Sequence, residues 1–242
     1  MKRIPAWISW AGLSVSMAVN VGLFQAAKTF YAREAKFRLH PTGVPSFRET
    51  GPEAAPRVLL LGDSRCAQWP EFALQKYRVI NGGVGNETTA QIRLRSADAI
   101  ATARPAVVVI EAGINDLKIV PLMPGRENEV VDDCVMNLMK LVRTTRNGGA
   151  SVLVLSVLPA GRVELSRRIV WSDAVGRSVT AVNKRLAELC VSDPQVMFVD
   201  VTQHIVVERD YKDTLHFTPA FYSLISPDVE EGLDKLLRSH AP

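Results

Sequence analysis

The chain is poor in residues that form disulfides or bind metals. Among its 242 residues are three cysteines and four histidines. Cys66, Cys134 and Cys190 lie far apart, form no CxxC pair and show no ligand spacing with the histidines. These absences argue against a disulfide framework and a structural zinc site, and we predict no metal ion in this protein.

The chain also lacks a concentrated charge of one sign. Its net charge is +4, and the lysines and arginines are scattered along the sequence. Because nucleic-acid binders more often carry a clustered basic patch, we expect no nucleic-acid partner. Hydrophobic residues make up 47% of the chain, with no low-complexity tract, which is typical of a globular domain with room for an appendage.

One long uncharged run occurs, at residues 6–27. About 20 apolar residues suffice to cross a bilayer, so we favour an uncleaved membrane-spanning helix. A cleavable signal peptide is the second interpretation, although the run is long for the core of a signal. A peripheral amphipathic helix is the third, and the run is apolar nearly all round.

Residues 28–56 are predicted to connect this segment to the folded domain. The first part is basic and compatible with a helix, and the part from Pro41 to Pro56 holds four prolines and two glycines. Such a composition is typical of a linker. We therefore place the folded domain at residues 57–242.

Within that domain, short aliphatic runs alternate with longer helical patterns. The helical patterns cover 71–76, 88–103, 129–146, 172–191 and 219–239, and we expect the last to be interrupted near Pro227. Continuous apolar runs between helices predict a doubly wound sheet of five parallel strands. The predicted strands are Val58–Leu61, Arg78–Asn81, Ala106–Glu111, Ser151–Ser156 and Val196–Asp200.

Four polar clusters lie at one predicted rim of the sheet. Three of them follow predicted strands, and the fourth lies between the last strand and the last helix. They occupy residues 62–64, 81–89, 113–116 and 213–216. Functional side chains of open α/β sheets gather at the carboxyl ends of the strands. The clusters therefore predict one site, although each alone has a plainer explanation; Ser64, for example, suits a helix N-cap.

The side chains in these clusters are chemically complementary. A serine hydroxyl such as that of Ser64 needs a base, and His216 is the residue type best suited near neutral pH. A carboxylate on Asp213 can fix the histidine tautomer. The Asn115 amide and the backbone of the glycine-rich loop can donate to an oxyanion.

The ordered motifs GDS, N-x-G-x-x-x-x-T, G-x-N-D and D-x-x-H resemble those of the SGNH (GDSL-type) hydrolase superfamily. The resemblance implies a flavodoxin-like three-layer α/β/α sandwich and hydrolysis of esters or thioesters without a cofactor. It also implies that Ser64 is the nucleophile, His216 the general base and Asp213 its orienting carboxylate. Asn115 and the Ser64 N–H would donate to the oxyanion.

Two positions need separate treatment. Asn86 stands where the family has the oxyanion-hole glycine, and asparagine tolerates the left-handed conformation that such a position requires. A slip of one residue would give that role to Gly85. Arg65 follows the nucleophile, and we predict either contact with an anionic or sugar-bearing substrate or an exposed position in the first helical turn.

The leading hypothesis is a membrane-anchored serine esterase with its catalytic domain on the periplasmic or extracellular side. An O-acetyl group on an envelope carbohydrate is the favoured substrate, and lipid esters and thioesters are alternatives. A non-catalytic domain that binds glycan or protein through the same rim is the hypothesis from another class. A mononucleotide binder would explain the sheet but not the D-x-x-H motif.

Overall fold

The computed structural model describes residues 6–39, 41–43 and 47–239. The chain divides into two compact units, Met1–Pro41 and Thr42–Pro242.

In the first unit, described residues 6–39 form one long helix, α1 (Ala6–Leu39). From Trp10 to Leu39 its mean hydropathy reaches 1.2, and none of that stretch is buried. By length and composition this helix can cross a membrane. It continues beyond residue 27 into the basic stretch.

The second unit is built on one six-stranded sheet in the order β1-β3-β2-β4-β5-β6. Strands β2 to β6 are parallel, and their order β3-β2-β4-β5-β6 is the flavodoxin-like one. The strands are β1 (Arg48–Thr50), β2 (Arg57–Gly62), β3 (Arg78–Asn81), β4 (Val107–Glu111), β5 (Ser151–Leu155) and β6 (Val196–Val199).

Strand β1 corrects the prediction of a five-stranded, purely parallel sheet. It runs antiparallel to β3, with Arg48 opposite Asn81 and Thr50 opposite Val79. Arg48 also donates to the Ala67 carbonyl at 2.5 Å. Part of the segment predicted to be a linker thus belongs to the fold, which begins earlier than Arg57.

Helices cover both faces of the sheet, as alternate residues of β2 demonstrate. Leu59 and Leu61 pack with one helical layer, whereas Val58 and Leu60 pack with the layer on the other face. The first layer contains α3 (Thr89–Ala103), α5 (Glu127–Asn147) and α6 (Ala174–Leu189), and the second contains α8 (Pro219–Arg238). Short helices α2 (Ser64–Ala67), α4 (Ile114–Leu117) and α7 (Val207–Asp210) lie in the connections.

Two predicted helical features differ in the structure. Residues 71–76 form turns rather than a helix, and Leu74 within them has a left-handed φ of 63°. Helix α8 runs through Pro227 without interruption. Its apolar residues Phe221, Ile225 and Val229 are fully buried, and this packing outweighs the one backbone hydrogen bond that proline removes.

Candidate active site

Ser64 is the first residue of α2, directly after β2. The N-cap of this helix is Asp63, whose carboxylate accepts from the Arg65 N–H at 2.9 Å. Ser64 is therefore not the capping residue. Because the cap is supplied by its neighbour, the half-buried Ser64 hydroxyl is left for other contacts.

That hydroxyl contacts His216. The distance from Ser64 Oγ to His216 Nε2 is 3.0 Å, and from His216 Nδ1 to Asp213 Oδ2 it is 2.8 Å. The His216 side chain is 26% exposed, so a substrate can reach it. These distances suit transfer of a proton from the serine to the histidine.

The Asp213 carboxylate is held in its ionised form. Burial favours the neutral acid, but hydrogen bonds from the Leu215 N–H at 2.7 Å, the His216 ring and the His216 N–H at 2.9 Å outweigh it. Together they lower the pKa of Asp213 to about 2. A carboxylate that stays charged can orient the imidazole and stabilise its protonated form.

The loop that carries Asp213 and His216 is tied closely to the rest of the fold. The Lys212 N–H donates to the His216 carbonyl at 2.8 Å, and Tyr211 pairs with Phe217 in an antiparallel bridge. The Phe217 ring is fully buried and stacks on Phe221 of α8, with 4.2 Å between ring centroids. Packing therefore fixes the histidine at the edge where Ser64 lies.

Arg65 belongs to the support of this loop. Its side chain is 1% exposed, and it donates to the carbonyls of Leu215 at 2.8 Å, Pro159 at 2.8 Å and Leu158. Its guanidinium also lies 5.1 Å from the Phe217 ring centroid. Burial contradicts both predictions for Arg65, that it binds substrate and that it is an exposed arginine, because its hydrogen bonds hold the loops after β5 and before α8.

The glycine-rich loop after β3 packs against α2. Asn81 donates to the Cys66 carbonyl at 2.9 Å and accepts from the Gly83 N–H at 2.9 Å. A Cβ on Gly83 would lie 2.3 Å from the Ala67 nitrogen, so only glycine permits this close approach. A Cβ on Gly85 would lie 4.0 Å from the Ser64 Cβ, and the loop therefore reaches the serine.

Asn86 follows directly in that loop and is exposed. Its φ is 64°, in the left-handed region that glycine adopts without strain. The conformation agrees with the expectation that asparagine can replace glycine here. Asn86 directly follows Gly85, the residue of this loop that approaches Ser64.

Asn115 is buried on α4, and its amide makes three hydrogen bonds. Nδ2 donates to the Glu87 carbonyl at 3.0 Å and to Asp63 Oδ2 at 3.2 Å, while Oδ1 accepts from Lys118 Nζ at 2.5 Å. The amide nitrogen must face the Glu87 carbonyl and Asp63, which accept hydrogen bonds, and the amide oxygen must face the Lys118 ammonium, which donates one. The longer bond, to Asp63, is the weaker of the two that Nδ2 makes.

Charged groups lie buried beneath the rim. Glu111 is 2% exposed and therefore does not line the rim; burial raises its pKa to about 8, and the nearby Asp63 carboxylate adds to the shift. Burial likewise raises the pKa of Asp63. Glu87 and Arg95 form a buried ion pair at 2.7 Å, with Glu87 also accepting from the Gly43 N–H.

Other polar residues near the motifs have structural partners. Asp116 accepts from the Thr89 N–H at 2.9 Å and the Thr89 hydroxyl at 2.6 Å, which ties α4 to the start of α3. His204 pairs with Asp228. Across the described residues, no group of three histidine, cysteine or carboxylate side chains has the geometry of a metal site.

A cavity of about 710 Å³ adjoins the site at Asp213. Its walls are rich in charged side chains, with Leu165 and Tyr211 as larger apolar or aromatic members. Neither Ser64 nor His216 lines it. Besides Asp213, the charged residues that line it are Arg162, Glu164, Arg168, Glu208 and Lys212.

The sequence also matches a known protein family. The model of the GDSL-like Lipase/Acylhydrolase family matches residues 51–224, most of the chain. The chain belongs to this family. It is therefore a serine hydrolase that acts on ester bonds, and the predicted superfamily is confirmed.

Solved structures share the fold of this GDSL-family hydrolase. A GDSL-like lipase from Bacteroides thetaiotaomicron is 22% identical, with a TM-score of 0.60 over 74% of this chain and 88% of its own. An aryl esterase from M. smegmatis is 20% identical, with a TM-score of 0.59 over 75% of this chain and 100% of its own.

A catalytic mutant of an acetylxylan esterase from Geobacillus stearothermophilus is 19% identical, with a TM-score of 0.51 over 78% of this chain and 96% of its own. At these identities the likeness establishes the fold alone. No curated protein matches the chain.

The structure thus brings Ser64, Asp213 and His216 together. Asn115 contacts Asp63, the neighbour of Ser64, and the loop containing Asn86 approaches Ser64 at Gly85. Arg65 lies behind the site. The sequence did not predict the roles of two residues near the site: Asp63 as the cap of α2, and Lys118 as the hydrogen-bond partner of Asn115. The GDS motif contains Asp63, but a lysine three residues after an asparagine carries no signal of its own.

Proposed function

We propose that this GDSL-family hydrolase cleaves carboxylic esters through a Ser64-His216-Asp213 triad and an acyl-enzyme. The observation that carries the proposal is the 3.0 Å contact between Ser64 Oγ and His216 Nε2, with Asp213 on the other ring nitrogen. The order of contacts is the one that activates a serine.

In the first step, Ser64 Oγ attacks the ester carbonyl while its proton passes to His216 Nε2. The resulting tetrahedral intermediate collapses, the C–O bond to the alcohol breaks, and His216 gives its proton to the departing oxygen. In the second step, water attacks the acyl-enzyme and loses a proton to His216. The proton then returns to Ser64 Oγ as the carboxylic acid leaves.

The negative charge of the intermediate needs donors that are already in place. We assign them to the Asn115 amide, the Ser64 N–H and the Asn86 N–H. The left-handed φ of Asn86 supports its assignment, and the proximity of Gly85 to Ser64 supports the neighbouring N–H as the alternative. The long bond between Asn115 and Asp63 is the one that an oxyanion would replace or share.

For the substrate, we propose a short acyl group on a polar alcohol, with O-acetyl carbohydrate as the favoured class. The cavity beside Asp213 is lined mainly by charged side chains, which suit a hydrated alcohol portion better than a lipid chain. The capacity of α1 to span a membrane supports an envelope carbohydrate as the substrate, because a membrane-anchored enzyme would lie close to such a polymer.

The direct test is a panel of acetylated sugars and of aryl esters with increasing acyl length. We expect acetyl esters to be hydrolysed fastest and Ser64→Ala to abolish turnover, whereas Ser223→Ala, at an exposed serine of α8, should retain it. Preference for long acyl chains would favour the lipase alternative. Absence of any turnover in the wild type would favour a binding domain and overturn the proposal.

We also propose that α1 anchors the protein in a membrane with the catalytic unit on the periplasmic or extracellular side. Full-length protein should sediment with membranes and resist extraction by salt, whereas a variant lacking residues 1–27 should be soluble. Protection of the catalytic unit from protease in intact cells would contradict the sidedness. A mature N-terminus at or beyond Lys28 would identify α1 as a signal peptide instead.

A further inference from the structure

Lys118 contacts the oxygen of the Asn115 amide, the side chain that we assign to the oxyanion hole. It caps the C-terminus of α4, and its Nζ donates to Asn115 Oδ1 at 2.5 Å. Asn115 Nδ2 is thereby directed toward Asp63 and the Glu87 carbonyl. A single lysine therefore holds the oxygen end of the amide whose nitrogen end we assign to the oxyanion.

The environment of Lys118 is costly for an ammonium group. The side chain is half-buried, yet among the described residues no carboxylate lies within 4 Å of its nitrogen. A partly desolvated cation without an ion pair is unfavourable, and an amide oxygen compensates for it only in part. A fold that required only a filled position here would be served by an apolar residue.

The charge offsets a local disadvantage of the site. Asp63 Oδ2 lies 3.2 Å from Asn115 Nδ2, and a carboxylate at that position opposes the formation of an oxyanion nearby. The Lys118 cation on the Asn115 amide oxygen has the opposite effect, because a positive charge favours formation of an oxyanion nearby. It also polarises the amide, because hydrogen bonds in a chain strengthen one another and make its N–H a better donor.

We propose that Lys118 is a positioning residue of the oxyanion hole, which orients and polarises the Asn115 amide for the transition state. The inference rests on the proposed function of Ser64 and Asn115. Lys118 would not touch the substrate, and its contribution would pass through Asn115.

The test is a double-mutant cycle on hydrolysis of a small aryl acetate by the full chain. Lys118→Met should lower kcat about 10-fold with little change in KM, less than the roughly 10²–10³-fold loss on removal of a direct donor. Lys118→Arg should recover part of the loss. Lys184→Met, at an exposed lysine of α6, should match the wild type.

The cycle distinguishes action through Asn115 from a general structural role. In an Asn115→Ala background, Lys118→Met should cause little further loss in kcat, because the amide that it polarises is gone. Circular dichroism and thermal melting of each variant check that the fold is intact. Equal losses from Lys118→Met in both backgrounds would overturn the proposal.

The alkaline side of the pH profile gives an independent readout. Burial lowers the pKa of Lys118; Asp63 and Asp116 oppose this effect, and Arg167 and Arg65 add to it. We therefore expect kcat of the wild type to fall at a pH below the range of an ordinary lysine, and Lys118→Met to lack this fall. If the wild type is active and Lys118→Met has the same kcat, this inference alone is overturned. If the wild type is inactive, the proposed function is overturned as well.

Discussion

At the scale of single residues, the site depends on how neighbouring charges are held. Asp213 receives two backbone N–H groups besides the His216 ring, which explains how a partly exposed carboxylate has its pKa lowered to about 2. Asp63 and Glu111, in contrast, are buried and have raised pKa values. The pKa values of these carboxylates thus differ because their hydrogen bonds and burial differ.

The first prediction concerns acid pH. Because the lowered pKa keeps Asp213 ionised down to about pH 2, loss of esterase activity on acidification above that pH should come from protonation of the His216 ring, which must be neutral to act as a base. A pH profile of kcat/KM on a small aryl acetate measures this. A kcat/KM that does not fall on acidification while the protein stays folded would contradict the role of His216.

Asp213→Asn should lower kcat by roughly 10⁴-fold, as loss of the triad carboxylate does elsewhere.

The Asp213 carboxylate should also stabilise the folded protein. Since its pKa is lower in the folded protein, its stabilisation is present above about pH 4 and is lost as the pH falls through about 2. Melting curves of the wild type and the variant should therefore converge at the acid end.

The second prediction concerns Arg65. Arg65→Met leaves three carbonyls without their buried donor and should lower the free energy of unfolding by about 2–4 kcal/mol. Arg143→Met, at an exposed position of α5, should change it by less than about 0.5 kcal/mol. Denaturant titration measures both.

Because Arg65 is buried, the ratio of activities toward anionic and neutral esters should not change in a folded variant such as Arg65→Lys. A selective loss of activity toward anionic esters would restore the interpretation that Arg65 binds substrate.

At the scale of elements, three strand ends and one loop each supply a part of the site. β2 leads into the serine, β3 into the glycine-rich loop and β4 into Asn115, while the segment before α8 supplies His216. The registered parallel pairing of β2 with both β3 and β4 brings the first three to one edge. Contacts of Asn81 and Arg65 then fix the loops relative to α2.

The third prediction belongs to the end of β4. Glu111 is buried and its pKa is raised to about 8, so the folded state retains a proton that the unfolded chain has released above about pH 4.5. The free energy of unfolding of the wild type should therefore fall by at most about 2–3 kcal/mol between pH 5 and 7 through this group.

Glu111→Gln should remove that contribution. Melting temperatures of both proteins at pH 5 and 7 measure it, since the other titrating groups are common to both. An equal change in melting temperature in the two proteins would show that Glu111 is not protonated in the folded state.

Sequence patterns identified most elements but not all. The parallel strands were predictable because each is an aliphatic run, and helices α3, α5, α6 and α8 because their apolar residues recur at helical spacing. β1 was missed because Arg-Glu-Thr has no apolar run, and its pairing with β3 depends on a distant strand. Pro227 stays inside α8 because tertiary packing outweighs the local preference.

The same contrast holds for the site. Ser64, Asp213 and His216 lie in ordered motifs, so their approach to one another follows from the topology. The burial of Arg65 could not be predicted, because its acceptors lie 93 to 150 residues further along the chain. Lys118 was overlooked because only the structure places its ammonium on the Asn115 oxygen.

At the scale of the whole molecule, the chain joins a long apolar helix to a three-layer α/β/α hydrolase unit. The family and the fold are established by the match over residues 51–224 and by the shared sheet topology. The proposed acetyl carbohydrate and the anchoring role of α1 agree with one another, because a polymer in the envelope would lie within reach of an anchored enzyme.

The most direct measurement of the central claim is covalent labelling of the purified protein with an active-site phosphonate, followed by peptide mass spectrometry. We predict one adduct, on Ser64, which is absent in Ser64→Ala and much slower to form in His216→Ala, while Ser223→Ala labels at the wild-type rate. A protein that hydrolyses esters but carries no adduct on Ser64, or that is labelled equally fast without His216, would contradict the account.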